Sequence, residues 1–336
     1  MVASDPMPRR PARPPSEGGE VVVRPAATVM MVRDGDHDEA PLEVLMVRRN
    51  IRSDFVGGAH VFPGGALDPD DGGPEAAAQC TGRTEREASA VLGIPAGGLA
   101  YWVAALRECF EEAGLLLAER DDGRLLSLAD PADARRFTRY RLDLNAGRRR
   151  FVELCRDEGL RLPLDRVHYF SHWITPVGAV RRYDTRFFVA AAPPDQVPAH
   201  DAAETIADIW LRPADALAQH RAGAIELIFP TVRTLQAIGR FATAGDLLAA
   251  AEAAAPGLAG RAPLLPRMVR DGQGSRLLLP GDPGYDEAAD APPVRGRAHQ
   301  DAVRSVSRAA NVDPGPGGAG PDLPAQPPTA PAAGGG

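Results

Sequence analysis

The chain contains no lysine. Its 38 basic residues are all arginine, set against 45 Asp and Glu, for a formal net charge of −7. A net-acidic chain lacks the basic field of a general nucleic-acid binder. The arginine bias accompanies abundant Ala, Gly and Pro, as in a GC-rich coding sequence, so single arginines gain meaning only by position. Cysteine is also scarce, with Cys80, Cys109 and Cys155 in 336 residues. That excludes a disulfide scaffold and points to a reducing, cytoplasmic setting. Aromatics make up only 5%. No apolar run reaches the ~18 residues of a membrane helix, so no membrane partner is expected.

Hydrophobic residues (44%) and charged residues (25%) are close to the globular average, so most of the chain can bury a core. Gly and Pro together account for 68 of 336 residues, and the excess sits at the ends. Residues 1–20 are Pro- and Arg-rich. Arg9-Arg10 is not followed by the apolar stretch of an export signal. From Asn311 to Gly336, Pro and Gly supply 14 of 26 residues. These ends read as disordered, 1–20 and 286–336, around a folded body that runs from about Val21 to about Tyr285.

Within the body, Ala26–Arg33 and Leu42–Arg48 read as neighbouring strands across a polar turn. Ala59–Phe62 is a short strand that stops at Pro63-Gly64-Gly65. An irregular stretch follows to about Leu99, with enough Ala, Glu and Arg over 75–92 for a helix of its own. Tyr101–Ala118 carries the clearest helical spacing, with Gly123 beyond its end. Asp130–Gly159 reads as helical, with Pro131 suited to the first turn. His168–Ile174, Thr185–Ala192 and Ile206–Leu211 are strand-like. Helices are expected over 213–222, 231–241 and 244–254. Strands that come both paired and separated by helices predict an α/β sandwich with a mixed sheet.

One segment concentrates charge: Arg107-Glu108-Cys109-Phe110-Glu111-Glu112-Ala113-Gly114-Leu115. Glu108, Glu111 and Glu112 stand at i, i+3 and i+4, so a helix places three carboxylates on one face. Like charges at that spacing cost a bare helix a few tenths of a kcal/mol per pair, and a divalent cation would reverse the sign. Alone, such a cluster is equally a solvated acidic face. Leu106, Phe110, Ala113 and Leu117 give the opposite, apolar face. Upstream, Phe62-Pro63-Gly64-Gly65 ends a strand with two residues whose backbone can approach a metal or phosphate closely.

The combination resembles the signature box of the Nudix hydrolases: Gly, five residues, Glu, seven residues, then Arg-Glu-aliphatic-x-Glu-Glu-x-Gly-aliphatic. Gly65 matches the opening, and residues 107–115 match the close, with Cys109 at the first aliphatic position. Two departures stand out. Asp71 occupies the position of the first Glu, which leaves its role open, including that of merely holding the loop. Residues 72–106 then place 35 residues where the pattern has seven. A long insertion there resembles the subgroup related to the peroxisomal coenzyme A diphosphatases of animals and their bacterial relatives. Leu279-Pro280-Gly281-Asp282-Pro283-Gly284-Tyr285 agrees with it.

The resemblance implies a Nudix-type α/β/α sandwich with a mixed sheet, a helical insertion and a helical C-terminal extension. The hydrolase domain would span 21–245, with 66–100 inserted and 246–285 packed on it. It implies Mg2+ or Mn2+ held by Glu108 and Glu112, with a Gly64 or Gly65 carbonyl completing the shell. Glu111 would be a further ligand or a water-orienting base, Arg107 would orient the glutamates, and Gly114 would allow close packing behind the helix. A later-loop acid is expected at Glu204, with Asp208 next. Arg48, Arg49 and Arg52 resemble the basic segment of coenzyme A-cleaving members and would bind substrate phosphates. His60, His168 and His172 lack zinc-spaced partners and read as structural or substrate-lining. The substrate is a small nucleoside diphosphate derivative, foremost coenzyme A or acyl-coenzyme A. ADP-ribose, a dinucleotide or a nucleoside triphosphate is the alternative, and a non-catalytic ligand-binding module the third reading. No nucleic acid or membrane partner is implied, and a homo-oligomer is compatible.

Overall fold

The computed structural model describes residues 21–288 apart from 36–40, 52–56, 180, 202 and 272–273. The expected lead-in, 1–20, and all but the first three residues of the expected 286–336 tail lie outside the described residues.

Strands β1 (Val23–Asp34) and β2 (Leu42–Arg49) form the expected antiparallel neighbours. β1 is apolar on both faces. Ala27, Val29 and Met31 enter one core, while Met30 and Val32 enter a second. A strand covered on both sides reads as a continuous apolar run, which explains why AATVMMV lacks alternation. β3 (His60–Val61) pairs with β2. β4 (Gly64–Ala66) pairs with β1, so the glycine turn is itself a short strand.

The inserted region holds a 3-10 turn at Pro69–Gly72, α1 (Pro74–Gln79), β5 (Cys80–Thr81) and α2 (Glu85–Leu92). The single helix expected over 75–92 is thus two. Gly82 breaks it with a φ of 74°, and Thr84 restarts it with a capping box to Glu87. The best-marked helix, α3, covers Gly98–Ala113 instead of 101–118. Gly114 ends it in the left-handed region (φ 72°), its N–H bonding Phe110 O at 3.0 Å. The apolar spacing continues in sequence because Leu115, Leu116 and Leu117 are also buried, but from non-helical chain.

β6 (Glu119–Arg120), α4 (Pro131–Asn145), α5 (Phe151–Asp157) and β7 (Leu160–Pro163) follow. The helical stretch expected over 130–159 is divided near Gly147, where φ is 67°. Then come β8 (Val167–Ile174), β9 (Arg182–Ala191), β10 (Thr205–Leu211), α6 (Pro213–Arg221), α7 (Phe229–Ile238) and α8 (Ala244–Leu258). A hairpin of β11 (Arg267–Asp271) and β12 (Gly274–Leu278) closes the described chain, so the extension beyond α8 is strand rather than helix.

The main sheet runs β10-β2-β1-β9-β8, with β3 and β4 attached to β2 and β1. The central β1–β9 pair is parallel and its neighbours are antiparallel. The sheet is therefore mixed, and its two faces are covered by separate helical layers. Residues of α2, α3, α4 and α5 build the first core, and α6, α7 and α8 the second. Leu279, fully buried, also enters the second core. Among the described residues, no helix is long and apolar enough to cross a membrane.

Candidate active site

α3 is anchored before it presents any charge. Trp102 is fully buried, donates its indole N–H to Val167 O at 2.8 Å, and packs on Phe188 with ring centroids 4.7 Å apart. Gly97 has no side chain to cap the helix N-terminus. Glu85 of α2 caps it from outside, accepting from Gly97 N (2.6 Å), Gly98 N (3.1 Å) and Leu99 N (3.0 Å). An anion at the positive end of a helix is favourable.

The second half of α3 carries Arg107, Glu108, Glu111 and Glu112. Arg107 is 4% exposed. Its guanidinium binds Asp71 in fork geometry, Nε to Oδ1 at 2.9 Å and Nη2 to Oδ2 at 3.0 Å. Nη1 reaches Glu108 Oε1 (2.8 Å) and Glu111 Oε2 (3.0 Å), and Nη2 also donates to Ala66 O (3.0 Å). Asp71, 2% exposed, accepts further from Asp68 N at 2.7 Å. The shorter acid in place of the pattern's Glu is thus a buried partner of Arg107 that also ties the loop.

Gly64 and Gly65 press against the carboxylates. Gly64 N donates to Glu112 Oε2 at 3.1 Å. A Cβ on Gly65 would stand 2.6 Å from Glu108 Oε1, closer than such contacts permit, so only glycine leaves the carboxylate where it is. Burial pushes the Glu108 carboxyl well above its ordinary range, with Arg107 opposing and the Glu111 and Glu204 charges adding to the rise. Burial likewise raises Glu112, and the charges of Glu108 and Glu204 raise it further against Arg49 and the Gly64 N–H. A cation between such acids removes the repulsion.

Among the described residues, no group of three or more His, Cys, Asp and Glu side chains converges as a ready metal cage. The donors present are carboxylate oxygens beside a close glycine backbone, with no thiolate or imidazole. That chemistry fits a hard divalent cation, which Mg2+-type sites share between one or two carboxylates, water and substrate phosphates.

The basic segment splits by strand geometry. Successive strand residues face opposite ways. Val47 enters the first core and Met46 the second. Arg49 accordingly shares the α3 side, where its charge acts on Glu112. Arg48 shares the other side, pairs in register with His60 and depresses that imidazole's basicity after burial has already done so. The structure does not bring Arg48 to the carboxylates. Arg52 lies outside the described residues.

Glu204 precedes β10, is exposed, and its charge acts on both Glu108 and Glu112. Asn50 N donates to Glu204 O at 2.8 Å, and Asp201 accepts from Glu204 N at 3.1 Å. Asp208 turns to His200, 2.8 Å from its Nδ1. Sequence reading passed over Asp201, Thr205 and Arg141, which build this wall. Asp201 has the turn-forming chemistry that could have marked it. One arginine among 38 carries no such mark. His172 pairs with Asp184 at 2.6 Å, away from the box, and Cys109 is core. Burial holds the Cys80 and Cys155 thiols up at about 12, so neither is an activated nucleophile.

A family model described as the NUDT19 Nudix domain matches residues 72–238. The chain is 31% identical over 313 residues to the acyl-coenzyme A diphosphatase NUDT19 of Gallus gallus, covering 80% of this chain and 81% of that protein. It is 29% identical over 281 residues to the Homo sapiens protein of the same name, covering 74% and 73%. A solved NUDIX hydrolase from Alicyclobacillus acidocaldarius is similar with a TM-score of 0.56 and 28% identity, over 68% of this chain and 96% of that one.

Proposed function

The chain belongs to the Nudix hydrolase family and is a pyrophosphohydrolase, and from that premise we propose that it hydrolyses coenzyme A or an acyl-coenzyme A. Water would cleave the diphosphate, releasing 3′,5′-ADP and (acyl-)phosphopantetheine. The observation that carries the reading is the pair of Glu112, buried, and Glu108, half-buried, set against Gly64 and Gly65. The names of the relatives in Gallus gallus and Homo sapiens support the substrate class.

Glu108, Glu112 and the Gly65 carbonyl would hold Mg2+ or Mn2+. When bound, the cation supplies Lewis-acid charge to the diphosphate oxygens and lowers the pKa of the attacking water. Arg107 fixes the Glu108 and Glu111 carboxylates. Glu111, as a further ligand or a base, and Glu204 are the acids that would receive the water's proton. Arg49 neutralises phosphate charge on the α3 side of the sheet, and the Gly64 N–H keeps Glu112 oriented. In this reading residues 21–245 are the hydrolase domain, with 66–100 inserted and 246–285 as its extension. Three cysteines without a disulfide fit a cytoplasmic protein.

The full chain, incubated with Mg2+ or Mn2+, should cleave coenzyme A species ahead of ADP-ribose, NADH and dinucleoside polyphosphates. Selective ADP-ribose turnover would replace the substrate assignment. Binding without turnover of any of these compounds would replace the enzymatic one. Glu112→Gln should lower kcat by at least ~100-fold. An unchanged rate would remove the metal assignment.

A further inference from the structure

The last turn of α3 ends in three carbonyls that the helix cannot satisfy, those of Glu111, Glu112 and Ala113. None of them is left to solvent. Arg141 of α4 donates Nε to Glu111 O and Nη2 to Glu112 O, both at 2.9 Å. Asn145 Nδ2 adds a bond to Glu111 O at 3.2 Å. Thr205 Oγ1 adds one to Glu112 O at 3.0 Å, and Ala199 N donates to Ala113 O at 2.8 Å. The third arm of Arg141, Nη1, binds Ala199 O. Arg141 is 8% exposed and Thr205 is fully buried.

The arrangement is more than a helix cap. Glu111 and Glu112 lie at the negative end of the helix dipole, the wrong end for acids, and α3 has no basic residue in its last turn. Arg141 brings that cation from another element. The same guanidinium grips the start of the segment that carries Glu204. Asp201 accepts from the N–H groups of Ala203, Glu204 and Thr205, and from Thr205 Oγ1, which ties these residues to one carboxylate. Thr205 Oγ1 also lies 3.0 Å from Glu112 O, so its single proton is shared between that carbonyl and Asp201. Two sides of the carboxylate site meet at one fork and one hydroxyl.

We propose that Arg141, acting with Thr205, is a positioning residue that sets the distance between the Glu108–Glu112 pair and Glu204. The inference rests on the reading of Glu108 and Glu112 as metal ligands. Lysine keeps the charge of Arg141 but has no planar fork, so it cannot hold Glu111 O, Glu112 O and Ala199 O together. Valine keeps the volume of Thr205 without its hydroxyl.

The test compares full-length wild type with Arg141→Lys, Thr205→Val, Thr205→Ser and Glu112→Gln. Mn2+ affinity is read by paramagnetic resonance without substrate, and kcat and KM for coenzyme A are read at saturating Mn2+. Arg141→Lys and Thr205→Val should each weaken Mn2+ binding ~10-fold and lower kcat comparably. KM should stay within ~2-fold, because the loss is of an interaction used in the transition state. Thr205→Ser, which keeps the hydroxyl, should restore both values. A structural cap alone would lower only the melting temperature. Unchanged Mn2+ affinity and kcat in either folded variant overturns the inference. If Arg141→Lys does not fold, the Thr205 pair decides. If Glu112→Gln binds Mn2+ like wild type, the metal reading fails and the coupling falls with it. If Glu112→Gln weakens binding while Arg141→Lys and Thr205→Val do not, only the positioning inference falls.

Discussion

At the scale of single residues, Arg107 and Asp71 form the central contact of the box. Both are almost fully buried, and removing one partner of such a pair leaves a charge uncompensated at a cost of about 3–5 kcal/mol. Arg107 keeps Glu108 and Glu111 as partners, so Asp71→Asn should cost near the lower end, about 3 kcal/mol, read from the urea midpoint at unchanged slope. A change below ~0.5 kcal/mol, the range of ordinary surface substitutions, would show that Asp71 does not hold the loop. The spacing of Gly65, Arg107, Glu108, Glu111 and Glu112 was legible in the sequence because a helix and a glycine turn impose it locally. The place of Asp71 was legible only as a departure from a pattern. Its pairing needed 36 residues of separation to close in space. The split between Arg48 and Arg49 was also within reach. It follows from strand alternation once the core face of β2 is known.

At the scale of elements, the insertion raises a question of closure. Lengthening a loop from seven to 35 residues costs about 1.4 kcal/mol in chain entropy by the logarithmic rule. The insertion returns a contact to α3 through Glu85 on the first amides of the helix, and Asp71, at its edge, binds Arg107. Burial alone would raise the Glu85 carboxyl, but hydrogen bonds from Ser89 and from the amides of Leu99, Gly97 and Gly98 outweigh it and hold it below its ordinary range. A depressed folded pKa gives stability that is complete above the unfolded pKa and fades as pH falls through the folded one. Glu85→Ala should therefore cost about 1 kcal/mol at pH 7, as for a lost helix cap. The gap from wild type should narrow as pH drops below the ordinary Glu pKa of about 4.3. Denaturation over a pH series reads this, and a pH-independent gap would count against the cap. The end of α3 was misread from the sequence because Leu115–Leu117 sustains the apolar rhythm past the stop. Gly114 carried the true signal.

At the scale of the whole molecule, the mixed sheet divides two cores, and the second is completed by chain well beyond the box. Leu279→Ala should cost about 2–5 kcal/mol, a cavity loss measured as a lower urea midpoint. A negligible change would mean the C-terminal segment docks without contributing. The strands themselves were legible from their apolar runs, but their order was not. Ala27 and Arg186 are parallel partners 159 positions apart, and no local spacing encodes such a match. The same separation sets a timetable for synthesis. Every residue of the box has been made by position 115, yet its sheet lacks β9 and its far wall lacks Glu204 and Thr205 until translation passes 211. A nascent chain is built N-terminus first, and long-range parallel pairing is slow to form. The carboxylate helix therefore emerges with β1, β4 and α2 already made, but without the strand and the wall that complete its site.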